Sequence, residues 1–218
     1  MRNLILVLCL LIFSSFSYAA GGGEGGMRWS LRGYYGLASI SPGDLNTIEK
    51  NGGLPTFSSD TLFGGGLGYM INPKWELVGE FELQSAKATT TFVGTTVGME
   101  ASQNEIWAIL NYFLIHSNNV HVYVGAGGGY PTYSHLKIDS ITNIDLDADK
   151  SIGFLGQVGL KLGLGRLFSL FVEGGYQMIT ATNLKNSAGG ALQVTTGGAN
   201  AKMDLSGARG EAGLALNF

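Results

Sequence analysis

The sequence predicts an all-β fold: an eight-stranded, antiparallel, up-and-down transmembrane β-barrel. Three observations predict it. The chain divides into eight stretches of strand length, and their connections alternate short and long. Within the stretches, large apolar side chains hold one parity and nearly every mid-strand charge holds the other. A strand has a two-residue period, so each parity is one face of the sheet. A soluble barrel or sandwich turns its apolar face inward. Here the inward face of a narrow closed sheet carries the charges, and the apolar face is left for lipid.

The first strand, residues 27–38, sets Trp29, Leu31, Tyr35 and Leu37 outward and Arg28 and Arg32 inward. Residues 60–71 set Phe63, Leu67, Tyr69 and Ile71 outward among glycines, and residues 75–87 set Trp75, Leu77, Phe81 and Leu83 outward with Glu76, Glu80 and Glu82 inward. Residues 102–115 alternate Ile106, Leu110, Tyr112 and Leu114 with Glu105 and Asn111. Residues 120–133 begin Val120-His121-Val122, with the histidine inward. Residues 150–164 carry Phe154, Val158, Leu160 and Leu162 against Gln157 and Lys161, and residues 168–180 carry Leu170, Val172, Tyr176 and Met178 against Glu173 and Gln177. The last strand, 204–218, ends Leu214, Leu216, Phe218 outward with Arg209 and Glu211 inward.

Residues 72–74, 116–119 and 165–167 form the short turns; 39–59, 88–101, 134–149 and 181–203 form the long loops. Turns then face the periplasm and loops the exterior, with both termini periplasmic. The turns also suggest register. Pairing Ile71 with Trp75 brings Gly66 against Glu80 and Gly64 against Glu82. Pairing Leu114 with Val120 brings Trp107 against Gly127 and Glu105 against Gly129. Glycine makes room for bulky inward partners, because an eight-stranded interior is only wide enough for side chains.

Ahead of the barrel, Arg2, the apolar run 4–13 and Ser17-Tyr18-Ala19 predict a signal peptide, residues 1–19, cleaved after Ala19 or Ala20. The apolar run is too short to span a bilayer. Residues 20–26, Gly-rich, read as a flexible leader and 27–218 as the barrel. The single cysteine, Cys9, lies in the signal, so no thiol chemistry is expected of the mature chain.

Composition agrees. Glycine numbers 35 of 218, charged residues are only 13% and apolar residues 45%, with a formal net charge of −3. That excludes a disordered chain, and no basic stripe suggests nucleic acid.

The terminal Leu216-Asn217-Phe218, the Asn72-Pro73 turn before an outward Trp75, and Phe171-Val-Glu-Gly-Gly-Tyr-Gln177 resemble the small eight-stranded OmpA/OmpX/OmpW-type outer-membrane barrels. The resemblance covers about residues 27–218. It implies an integral barrel in the outer membrane of a Gram-negative bacterium, monomeric or weakly associating. Its partners would be the lipid bilayer, lipopolysaccharide and the barrel-assembly machinery, the last through the C-terminal strand and Phe218. No periplasmic peptidoglycan-binding domain is expected after the last strand.

The inward charges Arg28, Arg32, Lys161, Arg209, Glu76, Glu80, Glu82, Glu105, Glu173 and Glu211, with His121, predict a lumen network. Buried charges are tolerable only when paired, so a packed network is favoured over an ion path lined by acids. Trp29, Tyr69, Trp75, Tyr112, Tyr176 and Phe218 predict aromatic girdles at the headgroups. Asp145, Asp147 and Asp149 alternate as in calcium loops but lack the loop glycine and distal Glu, so no metal site is assigned. His116, His121 and His135 are scattered, and no third group orients a base, so no catalytic residue is assigned. No cofactor is expected. The primary functional expectation is a barrel with a mostly plugged polar lumen, structural or interacting with an extracellular partner through its loops. The alternatives are a narrow porin-like channel or transporter for ions or small apolar solutes, and a lipid-modifying enzyme.

Overall fold

The computed structural model describes residues 28–39, 60–92, 95–117, 119–139, 144–149, 151–186, 203–204 and 206–218. The signal segment 1–19, the leader 20–26 and most of the loops 39–59 and 181–203 lie outside the described residues.

Eleven strands are described: β1 Trp29–Ala38, β2 Asp60–Asn72, β3 Trp75–Phe92, β4 Thr95–His116, β5 Val120–Asp139, β6 Ile144–Asp149, β7 Gly153–Leu164, β8 Phe168–Met178, β9 Thr180–Asn186, β10 Met203–Asp204 and β11 Gly207–Asn217. Every pairing is antiparallel. Eight strands close on themselves in the order β1-β2-β3-β4-β5-β7-β8-β11, with β11 pairing back to β1. Closure leaves no free edge along the wall. The remaining three continue barrel strands past short breaks: β6 leads into β7, β9 follows β8 after Ile179, and β10 leads into β11. They pair among themselves and with the outer end of β5.

The barrel therefore extends further than the polarity of the sequence suggests. Residues 88–101, expected as a long loop, are instead the arms of a hairpin, paired from Ala88↔Met99 to Phe92↔Thr95. The run Thr89-Thr90-Thr91-Phe92 is β-branched and aromatic, and such residues suit a pleated sheet without an alternation of polar and apolar side chains. Much of 134–149 is likewise strand.

Register also differs at two turns. Trp75 pairs with Asn72 rather than Ile71, across an irregularity between Met70 and Asn72, while Gly66↔Glu80 and Gly64↔Glu82 hold. In the β4–β5 hairpin Trp107 faces Gly129, not Gly127, and Glu105 faces Pro131, not Gly129. The cause is the turn. Ser117 Oγ donates to the Val120 carbonyl at 2.8 Å and accepts from the Val120 amide at 3.1 Å, so the ladder closes at His116↔His121. A further irregularity between Phe113 and Ile115 carries the shift up the strand. The net displacement is two residues, which leaves each side chain on its own face.

Burial alternates without a break along β1 and along most of β7, β8 and β11. Large apolar side chains such as Phe63 (61% exposed) and Val158 (61%) cover the outside, while Glu82, Glu105 and Asn111 are fully enclosed. The core is thus the barrel interior, where charged and polar side chains are enclosed together with apolar ones such as Leu62, Val78, Ile109 and Trp107.

Candidate functional site

The interior is the candidate site, and it is built from inward residues at three levels. Nearest the turns, Lys161 on β7 pairs with Glu76 on β3 at 2.9 Å, and Glu76 also accepts from Asn111 at 3.3 Å and Ser30 at 3.5 Å. Gln157 donates to Asn111 at 3.2 Å, so the Glu76 carboxylate on β3 gathers groups from three other strands, β1, β4 and β7.

At the middle level Arg32 on β1 pairs with Glu80 on β3 at 3.3 Å and with Glu173 on β8, and its guanidinium lies 4.1 Å from the centre of the Phe171 ring. Tyr123 donates its hydroxyl to the same Glu173. The ring thus covers one face of the guanidinium while carboxylates meet its edge.

At the upper level Arg209 on β11 pairs with Glu82 on β3 at 2.6 Å and with Glu211 on its own strand. Tyr34 donates toward Glu80 at 3.4 Å and Glu82 at 3.3 Å, which ties the upper two levels together. Glu105 accepts from Trp107 Nε1 at 2.7 Å and from Gln103. Gln177 and Gln84 meet at 3.5 Å above them.

Arg32, Glu76, Glu80, Glu82, Glu105, Lys161, Glu173, Arg209 and Glu211 are therefore all buried together. Arg28 is not: it precedes the first residue of β1 and is exposed at the rim, because parity stops predicting orientation where the ladder begins. His121 lies at the turn end, half-buried, with its Nδ1 3.0 Å from that of His116.

Several interior residues escaped the reading by charge. Tyr34, Tyr123 and Phe171 share the inward parity of the acids and bases and are nearly fully enclosed. The signal that marks Tyr34 and Tyr123 is a glycine in a neighbouring strand. A Cβ on Gly64 would fall within the Tyr34 ring and one on Gly159 within the Tyr123 ring, so each aromatic lies flat against bare backbone.

On the outer wall, Trp29 stacks on its cross-strand partner Tyr69 at 4.7 Å, and Trp75 on its partner Tyr112 at 4.8 Å, both near the turns. Tyr176 is exposed toward the other end of β8. The Phe218 backbone exchanges hydrogen bonds with Trp29, which closes the barrel at the rim.

In chemical terms the interior holds three described cations against six carboxylates. Glu80, Glu173 and Glu211 converge with oxygens within 4.8 Å of one another, and all three are already paired, Glu80 and Glu173 with Arg32 and Glu211 with Arg209. Among the described residues no nucleophile is oriented by a base.

The family described as outer membrane protein beta-barrel domain matches residues 5–191. No curated protein matches the chain. Solved structures with the same fold include the outer membrane protein OprG from Pseudomonas aeruginosa, with a TM-score of 0.61 at 15% identity, over 90% of this chain and 98% of that one. Neisserial surface protein A gives 0.56 at 16% identity, over 89% and 100%. Ail, the attachment invasion locus protein of Yersinia pestis, solved in complex with the heparin analogue sucrose octasulfate, gives 0.51 at 12% identity, over 89% and 100%.

Proposed function

The chain belongs to the outer membrane protein β-barrel domain family, and on that premise we propose that it is a barrel sealed by its own interior side chains, with a structural or surface-interaction role exercised through the connections at the end away from the turns. The family places it in the outer membrane of Gram-negative bacteria. The observation that carries the reading is the pair of arginines: Arg32 and Arg209 each bind two glutamates, and each ties together strands from different parts of the wall. Cross-links of this kind leave little room for a water column in an eight-stranded interior. Lipid and lipopolysaccharide cover the apolar exterior, and the assembly machinery receives the closing strand that ends at Phe218. Surface recognition by a small barrel is compatible with this arrangement, because connections vary freely on a rigid wall.

Planar-bilayer recording of the refolded protein tests the reading. The wild type gives no steady conductance, and Arg32→Ala combined with Arg209→Ala opens one. A steady conductance in the wild type overturns it.

A narrow cation path is the second reading. It is supported by the excess of carboxylates over cations among the described interior residues. It requires a wild-type conductance that Glu80→Ala abolishes.

A further inference from the structure

At the turn end of the barrel, two histidines face each other across the β4–β5 hairpin. His116 is the last residue of β4 and His121 the second of β5, and they are direct ladder partners. Their Nδ1 atoms stand 3.0 Å apart, with ring centres at 4.6 Å and planes inclined by 48°. The Phe113 ring meets both imidazoles edge-on, at 5.5 and 5.7 Å, and limits their rotation. The Ser117 hydroxyl locks the turn between them through its two bonds to Val120.

The separation matches the bite of a metal chelate. A metal–imidazole bond is about 2.0–2.1 Å long, so two nitrogens on one ion between square and tetrahedral angles stand about 2.9–3.4 Å apart. An N–H···N hydrogen bond also fits 3.0 Å, and an ion bound between the two nitrogens would displace its one proton. His116 is exposed and His121 half-buried, so water can complete the coordination. Lys161 faces His121 from β7 as its ladder partner, and its ammonium is engaged at 2.9 Å by Glu76, the acid nearest that side.

We propose that His116 and His121 form a two-imidazole site for a divalent transition cation at the turn end of the barrel. Imidazole nitrogen suits copper, zinc and nickel, and Cu(II) binds such ligands most strongly. The site needs no side chain from the interior network and is reached from the aqueous rim.

Untagged protein refolded in detergent is titrated with Cu(II) alone, followed by calorimetry and by electron paramagnetic resonance. The expected result is one saturable equivalent whose spectrum carries splitting from two nitrogens. His116→Gln and His121→Gln each weaken binding by at least about tenfold, since loss of even an outer-shell partner costs that much. His135→Gln, at the opposite end, leaves it unchanged. An unheated gel shift shows that each variant is a folded barrel. Absence of saturable binding, binding that survives the double His116→Gln, His121→Gln variant, or equal loss in His135→Gln overturns the site.

Discussion

Arg32 on β1 binds Glu173 on β8 although β11 stands between the two strands in the wall, so the bond crosses the interior instead of following the sheet. The same guanidinium holds Glu80 on β3. Removing one partner of a buried charge set leaves the others uncompensated, which costs about 3–5 kcal/mol. Arg32→Ala is therefore expected to destabilise the barrel by that amount in reversible urea unfolding in lipid vesicles. Adding Glu80→Gln and Glu173→Gln to it is expected to restore most of the loss.

Glu105 offers the contrasting case. It is fully buried, accepts from Trp107 Nε1 and Gln103, and forms no ion pair among the described residues. A glutamine keeps an acceptor for Trp107 and removes the desolvated charge. Glu105→Gln is expected to leave stability within about 1 kcal/mol of the wild type or to raise it, since neutral replacement of buried charge is often favourable. The same unfolding measurement checks this, and a loss on the scale of Arg32→Ala would contradict it.

Gly159 faces the Tyr123 ring, and an added Cβ would lie inside it. Overpacking of this kind costs about 1–3 kcal/mol. Because Tyr123 also donates to Glu173, Gly159→Ala should disturb the Arg32 cluster as well. Gly33, where a Cβ meets nothing within 4 Å, is the control. Gly33→Ala is expected to unfold at nearly the wild-type midpoint.

Phe81 lies outward on β3, 46% exposed, near the middle of the wall, whereas Leu167 lies in the turn before β8. A lipid-facing arginine costs about 2–4 kcal/mol at the bilayer midplane and about 0–1 near the interface. Phe81→Arg is thus expected to cost several times what Leu167→Arg does. Equal costs in vesicle unfolding would place the apolar band elsewhere.

The face of each side chain was legible from sequence because a two-residue period is a local property of the backbone. Arg32, Glu80 and Arg209 declared themselves by opposing the parity of Leu31, Phe81 and Leu214. Strand ends were less legible. The arms around Phe92 and Thr95 carry Thr89, Thr91, Thr96 and Glu100 on the outward parity instead of large apolar residues, and Arg28 has the inward parity but lies one residue before the ladder that would enforce it. The register of β4 on β5 depended on how Ser117 folds its turn, which no alternation of polar and apolar residues encodes.

The sequence by itself determined an eight-stranded barrel with lipid outside and charge inside. That much follows from strand period, turn spacing and glycine content, all read along one dimension. Only the closed structure decided which charges meet. Arg32 and Glu173 lie 141 positions apart in the chain, and Arg209 and Glu82 lie 127 apart. Their proximity depends on the registers accumulated around the wall, and the glycines opposite Tyr34 and Tyr123 leave room for these rings to reach Glu82 and Glu173. The facing of His116 and His121 has the same origin on a smaller scale. Period two makes them candidates for one hairpin, and the geometry of the turn makes them partners.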